Sequence, residues 1–385
     1  MLNVPVEKCC GCAACENICP TKAIQMLSNH EGFKYPHIEA SLCCNCGKCE
    51  KACPILNSPD ISTDFDACIA QSKDEEVLSE STSGGFVDVL CKYVLEEKNG
   101  YVCGVAFDEN FMPRHKIVDS YDQAKQFRNS KYAQSDIGTT FSDILALLKA
   151  EKIVMFIGTP CQVAGLKSYL GRPYNNLIAV DLVCRSIPSP KLWREYLDWQ
   201  EKRYGARVKS VSCRKKTYGY HSGALEMTFE NGKRYTGSNR VDYFMKSFHK
   251  DVCSRRSCYE CNFKTKNRCS DFTVFDSWRP ALVINQEFVD NDKGYSNVLI
   301  HTPTAKKIIK QLTMVELYPV DADRLLSVMG SMIAKSIQHN KMRESFYEDL
   351  NSYGFYKTVK KYAPVSIKDR VIETVKPIRY ILKKR

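Results

Sequence analysis

Two runs of cysteine decide the fold of the N-terminal segment: CCGCAACENICP at residues 9–20 and CCNCGKCEKACP at residues 43–54. Both follow the spacing CxxCxxCxxxCP, which places three thiols in one tight loop and a fourth just before a proline. A cubane of iron and sulfide needs thiolates that converge from several directions, and Gly11 and Gly47 ease the turns that this requires. Two complete copies of the spacing predict two 4Fe-4S clusters within residues 1–57.

The ligand assignment follows from the same pattern, which is typical of bacterial dicluster ferredoxins. In that arrangement the first three cysteines of each run bind one cluster, and the fourth crosses over to bind the other. The predicted ligands are Cys9, Cys12, Cys15 and Cys53 for the first cluster, and Cys43, Cys46, Cys49 and Cys19 for the second. Zinc is disfavoured, because structural zinc sites usually take their ligands as two separated pairs. The extra thiols, Cys10 and Cys44, are interpreted as non-ligands that pack beside the clusters.

Length and composition indicate a folded protein of two or three domains, with 385 residues, 44% of them hydrophobic and 26% charged. Twenty cysteines would suggest disulfides in a short secreted protein, but this chain is long and opens with MLNVPVEKCCGC rather than a signal peptide. No apolar run approaches the roughly 20 residues that cross a bilayer. We therefore expect reduced thiols and a soluble, cytoplasmic protein.

The formal charge of +12 is compatible with nucleic acid, an anionic membrane surface or an acidic redox partner. The basic residues are scattered and no recognised nucleic-acid-binding fold is present, so we expect no nucleic-acid partner. The tail from Ser366 to Arg385 interleaves basic and apolar residues, which is compatible with peripheral membrane contact. A solvated segment with one apolar face packed on the domain is the alternative. The expected partner is a redox protein or a small electron carrier.

Beyond about Ile61 the sequence alternates between apolar strands and amphipathic helices, which predicts a mixed α/β domain. The predicted strands are YVCGVAF (101–107), KIVMFIG (152–158) and LIAVDLVC (177–184), and the predicted helices include FVDVLCKYVLEE (86–97) and FSDILALLKA (141–150). The fold class is therefore α+β or mixed α/β, with a dicluster ferredoxin domain at 1–57, a larger mixed α/β domain at 66–280 and a helical C-terminal region with a basic tail at 281–385. The first boundary falls in the turn-rich linker NSPDISTDFD (57–66).

Two stretches of the larger domain place chemical groups at the start of a helix. STSGGF (81–86) is a small-residue loop that leads into a helix and would turn backbone N–H groups towards a phosphate, although a capped helix start explains the same residues. FIGTPCQVAGL (156–166) puts Cys161 at the carboxyl end of a strand, where open α/β sheets bind ligands. Cys161 is a candidate redox nucleophile, metal ligand or buried packing residue.

A third stretch, DVCSRRSCYECNFKTKNRCSDFTVFD (251–276), concentrates cysteines around a CxxC pair at Cys258 and Cys261. This pair needs further ligands. Cys161 and Cys184 each follow an apolar strand and would complete a third 4Fe-4S site across the fold. Alternatively, a local zinc or cluster site would use Cys253, Cys258, Cys261 and Cys269 alone.

Several motifs taken in order resemble the coenzyme F420 hydrogenase/dehydrogenase beta subunit family from residue 1 to about residue 280. They are STSGGF, FRNSKYAQSDIG (127–138), FIGTPCQVAGL, VDLVCRSIPSP (180–190), SCYECNFK (257–264) and SDFTVFDSW (270–278). Many members of this family also carry an N-terminal dicluster ferredoxin. The resemblance implies an electron-transfer unit with FAD, a 4Fe-4S cluster in the main domain and, in archaeal members, hydride exchange with the deazaflavin F420.

Carried over by motif, the resemblance makes Cys161, Cys184, Cys258 and Cys261 the preferred ligands of the third cluster. It makes Ser83, Gly84, Gly85, Lys131 and Gln134 candidates for flavin contacts. It singles out no catalytic residue. The implied protein is an iron-sulfur flavoprotein oxidoreductase that accepts a hydride as two electrons on the flavin and releases them singly to the clusters. Bacterial relatives of this type imply service in a surface-polysaccharide or related redox pathway.

Four residues differ from the family pattern, and these differences bear on which substrate is expected. Arg185 and Ser186 stand where the family has His-Gly, and Phe275 and Arg279 stand where it has the two glycines of a Gly-Asp-Phe-Trp-Gly run. The added bulk disfavours F420 as the substrate. A non-catalytic iron-sulfur subunit that feeds electrons to a partner enzyme is the alternative function. No GxGxxG follows a strand, so a nicotinamide site is not expected.

Overall fold

The computed structural model describes residues 2–384, and its N-terminal part is a small ferredoxin unit. Each cysteine run continues into a short helix, and an antiparallel hairpin lies between the two. These elements are α1 (Ala14–Ile18), β1 (Ile24–Ser28), β2 (Lys34–Ile38) and α2 (Lys48–Lys51). Gly11 and Gly47 both have left-handed φ values, 71° and 69°, and precede these helices. Their predicted role in the turns is therefore confirmed, because this backbone region favours glycine.

The other eleven strands form an eight-stranded mixed sheet and a three-stranded antiparallel sheet. They are β3 (Asp66–Ser72), β4 (Tyr101–Phe107), β5 (Pro113–Val118), β6 (Val154–Gly158), β7 (Leu177–Leu182), β8 (Val208–Lys215), β9 (Ala224–Phe229), β10 (Arg234–Gly237), β11 (Phe272–Asp276), β12 (Ser296–Ile300) and β13 (Val315–Val320). The large sheet has the order β13-β3-β12-β11-β7-β6-β4-β5, and the small one has the order β10-β9-β8. Strands β4, β6, β7 and β11 are parallel, so their carboxyl ends meet at one edge.

Helices cover both faces of the large sheet and continue into a C-terminal group. They are α3 (Glu75–Glu80), α4 (Phe86–Lys92), α5 (Tyr121–Ala124), α6 (Thr140–Lys149), α7 (Pro160–Leu170), α8 (Pro190–Tyr204), α9 (Tyr243–His249), α10 (Pro303–Ile309), α11 (Ala322–Met329), α12 (Ser331–Ala334), α13 (Arg343–Tyr353), α14 (Phe355–Tyr362) and α15 (Ile367–Lys384). Helix α4 widens into a π-helical turn over Tyr93–Glu97. The mixed α/β fold predicted from the sequence is confirmed.

Strand β6 and helix α7 show why the sequence folds this way next to the site. All five residues of β6 are buried, as expected for a parallel strand covered on both faces. Thr159 and Gln162 then form a capping box, with Pro160 at the first helical position. The chain therefore passes from β6 into α7 through Thr159 alone, and Cys161 lies in the first turn of the helix.

The C-terminal part of the chain differs from the helical region predicted for residues 281–385. It contributes β12 and β13 to the large sheet, and β12 lies between β3 and β11. Strand β13 lies at the edge of the sheet and is only partly buried. Its mixture of apolar and polar residues therefore resembles an amphipathic helix, which explains the helical prediction. Within the residues that the structure describes, no helix combines the length and the apolar character needed to cross a membrane.

The ferredoxin unit shares a hydrophobic core with the larger domain. Cys12, Ala14 and Met26 pack in one cluster with residues of α6, α7 and the neighbouring strands. A buried ion pair adds to this contact, since Arg343 of α13 lies 2.5 Å from Glu31 between β1 and β2. The ferredoxin unit is therefore packed against the rest of the molecule on two sides.

Candidate iron-sulfur and cofactor site

The four predicted ligands of the second cluster surround one small cavity. Cys43, Cys46 and Cys49 line it from the second cysteine run, and Cys19 lines it from the first. This is the crossover arrangement that the spacing predicts, and thiols are the donors that iron-sulfur clusters take. Cys46 is exposed, and the backbone N–H of Lys48 lowers the pKa of its thiol. This cluster position therefore lies at the molecular surface.

The predicted ligands of the first cluster lie deeper. Burial raises the pKa of the Cys15 thiol, and the neighbouring Cys9 and Cys53 raise it further, so these three thiols share one electrostatic environment. Cys12 is buried against α7, where a Cβ on Gly165 would lie 2.7 Å from the Cys12 Cβ. The first cluster position is therefore on the side of the ferredoxin unit that faces the larger domain.

The two thiols interpreted as non-ligands have different surroundings. Cys44 is exposed and lines the surface cavity together with the four predicted ligands. Cys10 lines the cleft together with Cys161; the Cys12 thiol raises the pKa of Cys10, and the Cys10 thiol raises the pKa of Cys161. Cys10 therefore lies close to a predicted ligand of the first cluster and to a cysteine of the larger domain.

A cleft of about 960 Å³ lies at the carboxyl edge of the large sheet. Cys161 follows β6 and Cys184 follows β7, and these strands are hydrogen-bonded neighbours. Cys258 and Cys261 approach from the loop that precedes β11, and all four cysteines line the cleft. Burial raises the pKa of the Cys258 thiol, and Cys184, Cys261 and Cys161 raise it further. The structure thus brings together the four cysteines that the resemblance favours.

The alternative local set of cysteines does not converge. Cys253 is fully buried among the apolar residues of α8, α9 and α13, and Cys269 packs against the cluster around α6 and α7. Neither lines the cleft with Cys258 and Cys261. Lys264 instead lies beside the converging cysteines, because its Nζ donates to the carbonyl oxygen of Cys184 at 2.5 Å.

Of the three flavin candidates in the STSGGF loop, two line the cleft. Ser83 and Gly85 line it. Gly84 does not line the cleft, because its backbone packs against β3 and β12: its N–H donates to the Ser296 Oγ at 3.0 Å, and a Cβ would overlap the Ala70 carbonyl oxygen. Gly84 is therefore required by close backbone packing.

Lys131 and Gln134 also line the cleft, but both have protein partners. The Lys131 Nζ donates to the carbonyl oxygens of residues 126, 128 and 129 at 2.9, 2.7 and 3.1 Å. Burial lowers the pKa of Lys131 to about 7, whereas three acceptors favour the ammonium form, which alone has three N–H groups. The Gln134 Oε1 accepts from Arg255 at 3.0 Å, at the contact with the ferredoxin unit. Both side chains thus stabilise the wall of the cleft.

Other lining residues were not identified from the sequence. The Arg214 guanidinium pairs with Asp276 at 2.6 Å and lies 4.5 Å from the Trp278 ring centroid. Its second terminal nitrogen is buried without a hydrogen-bond partner among the described residues. Arg255 belongs to the SRRSC stretch, where two adjacent arginines next to CxxC were the available signal. Arg214 belongs to no motif, so only the fold could reveal it.

Three of the four residues that differ from the family pattern line the cleft. Arg185 and Ser186 line it, and Arg185 is held by Asp251 at 2.7 Å. Phe275 also lines it, whereas Arg279 is exposed and lies outside the lining. Of the larger residues, Arg185 and Phe275 therefore lie at the wall of the cleft, and Arg279 does not.

Comparison with family models identifies two parts of the chain. Residues 151–324 match the model for the C terminus of the coenzyme F420 hydrogenase/dehydrogenase beta subunit, and residues 8–56 match the model for a 4Fe-4S dicluster domain. The resemblance predicted from the motifs is confirmed for these segments. The four converging cysteines lie inside the first match, whereas all five flavin candidates lie between the two.

Among solved structures, one similar chain belongs to the F420-reducing [NiFe] hydrogenase complex from Methanosarcina barkeri. The two chains share 19% identity, with 74% of this chain and 91% of that chain covered and a TM-score of 0.48. No curated protein matches this chain.

Proposed function

We propose that this chain, an iron-sulfur electron-transfer protein related through residues 151–324 to the coenzyme F420 hydrogenase/dehydrogenase beta subunit, is an oxidoreductase subunit with a third 4Fe-4S cluster and a bound flavin. The observation that carries the proposal is the convergence of Cys161, Cys184, Cys258 and Cys261 on one cleft that also has room for a cofactor. The flavin is expected to be FAD.

The donor set of the cleft fits a cluster. Four thiols with no carboxylate or imidazole among them are the usual ligands of 4Fe-4S clusters, and the nearby Lys264 cation favours an anionic group. Burial raises the pKa of Cys184 to about 12, with Cys161 adding to the effect, so these thiols are protonated until metal binds. Ligation would release those protons.

The remainder of the cleft fits a large anionic cofactor. The buried, unpartnered nitrogen of Arg214 offers a hydrogen-bond donor, and the ring of Trp278 lines the cleft next to it. Ser83 and Gly85 supply a wall without bulky side chains. When bound, a flavin exchanges two electrons with a donor or acceptor and single electrons with clusters.

The placement of the cysteines supports an order of electron carriers. The position bounded by Cys46 is exposed, the one that includes Cys12 faces the larger domain, and Cys10 lies close to both Cys12 and Cys161. We therefore propose that a redox partner protein or small carrier exchanges electrons at the surface position. F420 is disfavoured as the substrate because Arg185 and Phe275, which line the cleft, replace smaller or different residues of the family pattern. A cytoplasmic location and a surface-polysaccharide or related redox pathway belong to the proposal through the family resemblance alone.

Single substitutions test the third cluster. Cys258→Ala should lower the iron content of anaerobically purified protein from about twelve to about eight atoms per chain, because one 4Fe-4S cluster is lost. Cys269→Ala is the matched control, since this thiol comes from the same cysteine-rich stretch but lies outside the cleft, and it should retain about twelve. Equal iron content in both variants would contradict the assignment.

The alternative is a non-catalytic subunit that feeds electrons to a partner enzyme. It predicts intact clusters and no flavin site. Titration of FAD into flavin-depleted protein with full iron content, followed by flavin fluorescence, separates the two. Saturable binding of about one FAD per chain supports the oxidoreductase, and no binding supports the alternative.

Contact with an anionic membrane is a further part of the proposal. One face of α15 covers the cleft through Ile372, Glu373 and Lys376, while residues on the opposite face are exposed. The exposed apolar residues, with relative exposures of 56 to 82%, are Ile367, Val371, Ile378, Ile381 and Leu382. Both acidic residues of α15 bind the protein body, so its outward charge is basic. Such a helix suits a headgroup interface.

Vesicle sedimentation tests this contact. The protein should bind vesicles containing phosphatidylserine and not vesicles of phosphatidylcholine alone. Val371→Glu with Ile378→Glu should abolish binding, because both changes lie on the exposed face. Binding that is unaffected by the double substitution would exclude α15 as the contact.

A further inference from the structure

Arg255 is a fully buried cation that lies between the ferredoxin unit and the cleft. Its Nε donates to the Cys9 carbonyl oxygen at 2.8 Å, and one terminal nitrogen donates to the Lys34 carbonyl oxygen at 3.0 Å. The other donates to the Gln134 Oε1 at 3.0 Å. The guanidinium also lies 4.1 Å from the Tyr35 ring centroid. These contacts fix its position on both sides of the domain contact.

No carboxylate neutralises this charge within the part of the chain that the structure describes. Nearby Arg256 and Arg343 both pair with Glu31, whereas the partners of Arg255 are neutral oxygens and one sulfur, the Cys9 Sγ at 3.7 Å. An isolated buried charge is costly unless an opposite charge lies close by. Cys9, as the ligand of a cluster, would supply that negative charge.

We infer that Arg255 raises the reduction potential of the ferredoxin cluster held by Cys9, Cys12, Cys15 and Cys53. Reduction adds one negative charge to the cluster, and a fixed cation with an N–H directed at a ligand sulfur stabilises the reduced form more than the oxidised form. The hydrogen bonds of Arg255 reach none of the thiols predicted to hold the second cluster. Arg255 is thus a tuning residue for the cluster that faces the larger domain.

The inference is tested by redox titration of the anaerobic holoprotein, with the clusters followed by electron paramagnetic resonance. Arg255→Met should shift one ferredoxin midpoint potential to a more negative value and leave the other unchanged. Arg256→Met is the matched control, because it removes a charge from the adjacent residue that contacts Glu31 and Glu344 instead of Cys9. It should leave both potentials unchanged.

Gln134→Glu provides a second test that retains the arginine. It places a carboxylate next to the guanidinium and neutralises its charge with almost no change of volume, so the same potential should fall even if Arg255→Met does not fold. Unchanged potentials in a folded variant with full iron content, or an equal shift of both ferredoxin clusters, would overturn the inference. Arg255 also acts on Cys161, so the third cluster is expected to shift as well, and the test rests on the comparison of the two ferredoxin potentials with each other.

Discussion

Lys131 is held by backbone carbonyls on three sides, and this decides what its substitution will do. Lys131→Met should lower the free energy of unfolding by about 2 kcal/mol, because hydrogen bonds of a charged donor are lost from the 126–129 loop. Denaturant titration checks this value. Lys125→Met, which removes a surface pair with Asp122, should change it by less than about 0.5 kcal/mol. A stable Lys131→Met protein that has lost its flavin would instead indicate direct contact.

The ion pair of Glu31 with Arg343 is fully buried and joins the ferredoxin unit to α13. Glu31→Gln should lower the free energy of unfolding by about 3–5 kcal/mol, since the arginine loses its counter-charge. Denaturant titration measures the change. Glu348→Gln, at an exposed carboxylate of α13, is the control and should have little effect.

The same pair predicts a pH dependence. Burial opposes ionisation of Glu31, but the hydrogen bonds and charges of Arg343 and Arg256 outweigh it and hold its pKa below the usual 4.5. A depressed carboxyl pKa stabilises the fold above the unfolded value, and this stability is lost as the pH falls through the folded value. The difference in unfolding midpoint between wild type and Glu31→Gln should therefore narrow below pH 4.5. A constant difference would contradict this account of the pair.

At the scale of elements, helix α7 positions the ferredoxin unit through Gly165. Gly165→Val should displace Cys12, because even a Cβ would lie 2.9 Å from its Sγ. We expect the loss of about four irons per chain, from the first cluster alone. Lys167→Val adds the same side chain two residues further along α7 and should keep the iron content of wild type. Full iron content in Gly165→Val would show that the helix tolerates a shift.

Elements were predictable where the pattern is local. The strands that end before Cys161 and Cys184 were identified, because apolar runs bounded by turn residues indicate buried strands. Their adjacency, and the insertion of β12 between β3 and β11, depends on pairing between residues far apart in the chain. The sequence motifs therefore indicated which cysteines carry chemistry, and the sheet order showed which of them meet.

At the scale of the whole molecule, α15 closes the cleft. Its Asp369 and Glu373 bind Lys246 and Ser238 of the protein body. A chain that ends at Val365 should retain all its clusters, because no predicted ligand lies beyond Cys261, but it should bind FAD more weakly, on the order of tenfold. Fluorescence titration of FAD measures this change. Unaltered affinity would mean that the flavin does not contact the helix.

Long-range contacts also explain what the sequence could not reveal at this scale. Arg255 and Arg343 are distant in sequence from Cys9 and Glu31, and nothing in their local pattern indicates burial. Arginine side chains are usually exposed at the protein surface. Only the packing of the ferredoxin unit on the larger domain turns both residues inward.

The most direct measurement is the quantification of iron, sulfide and flavin in one anaerobically purified sample. We predict about twelve irons, about twelve sulfides and about one flavin per chain, as three 4Fe-4S clusters and an oxidoreductase require. About eight irons and no flavin would contradict the account and leave only the two ferredoxin clusters.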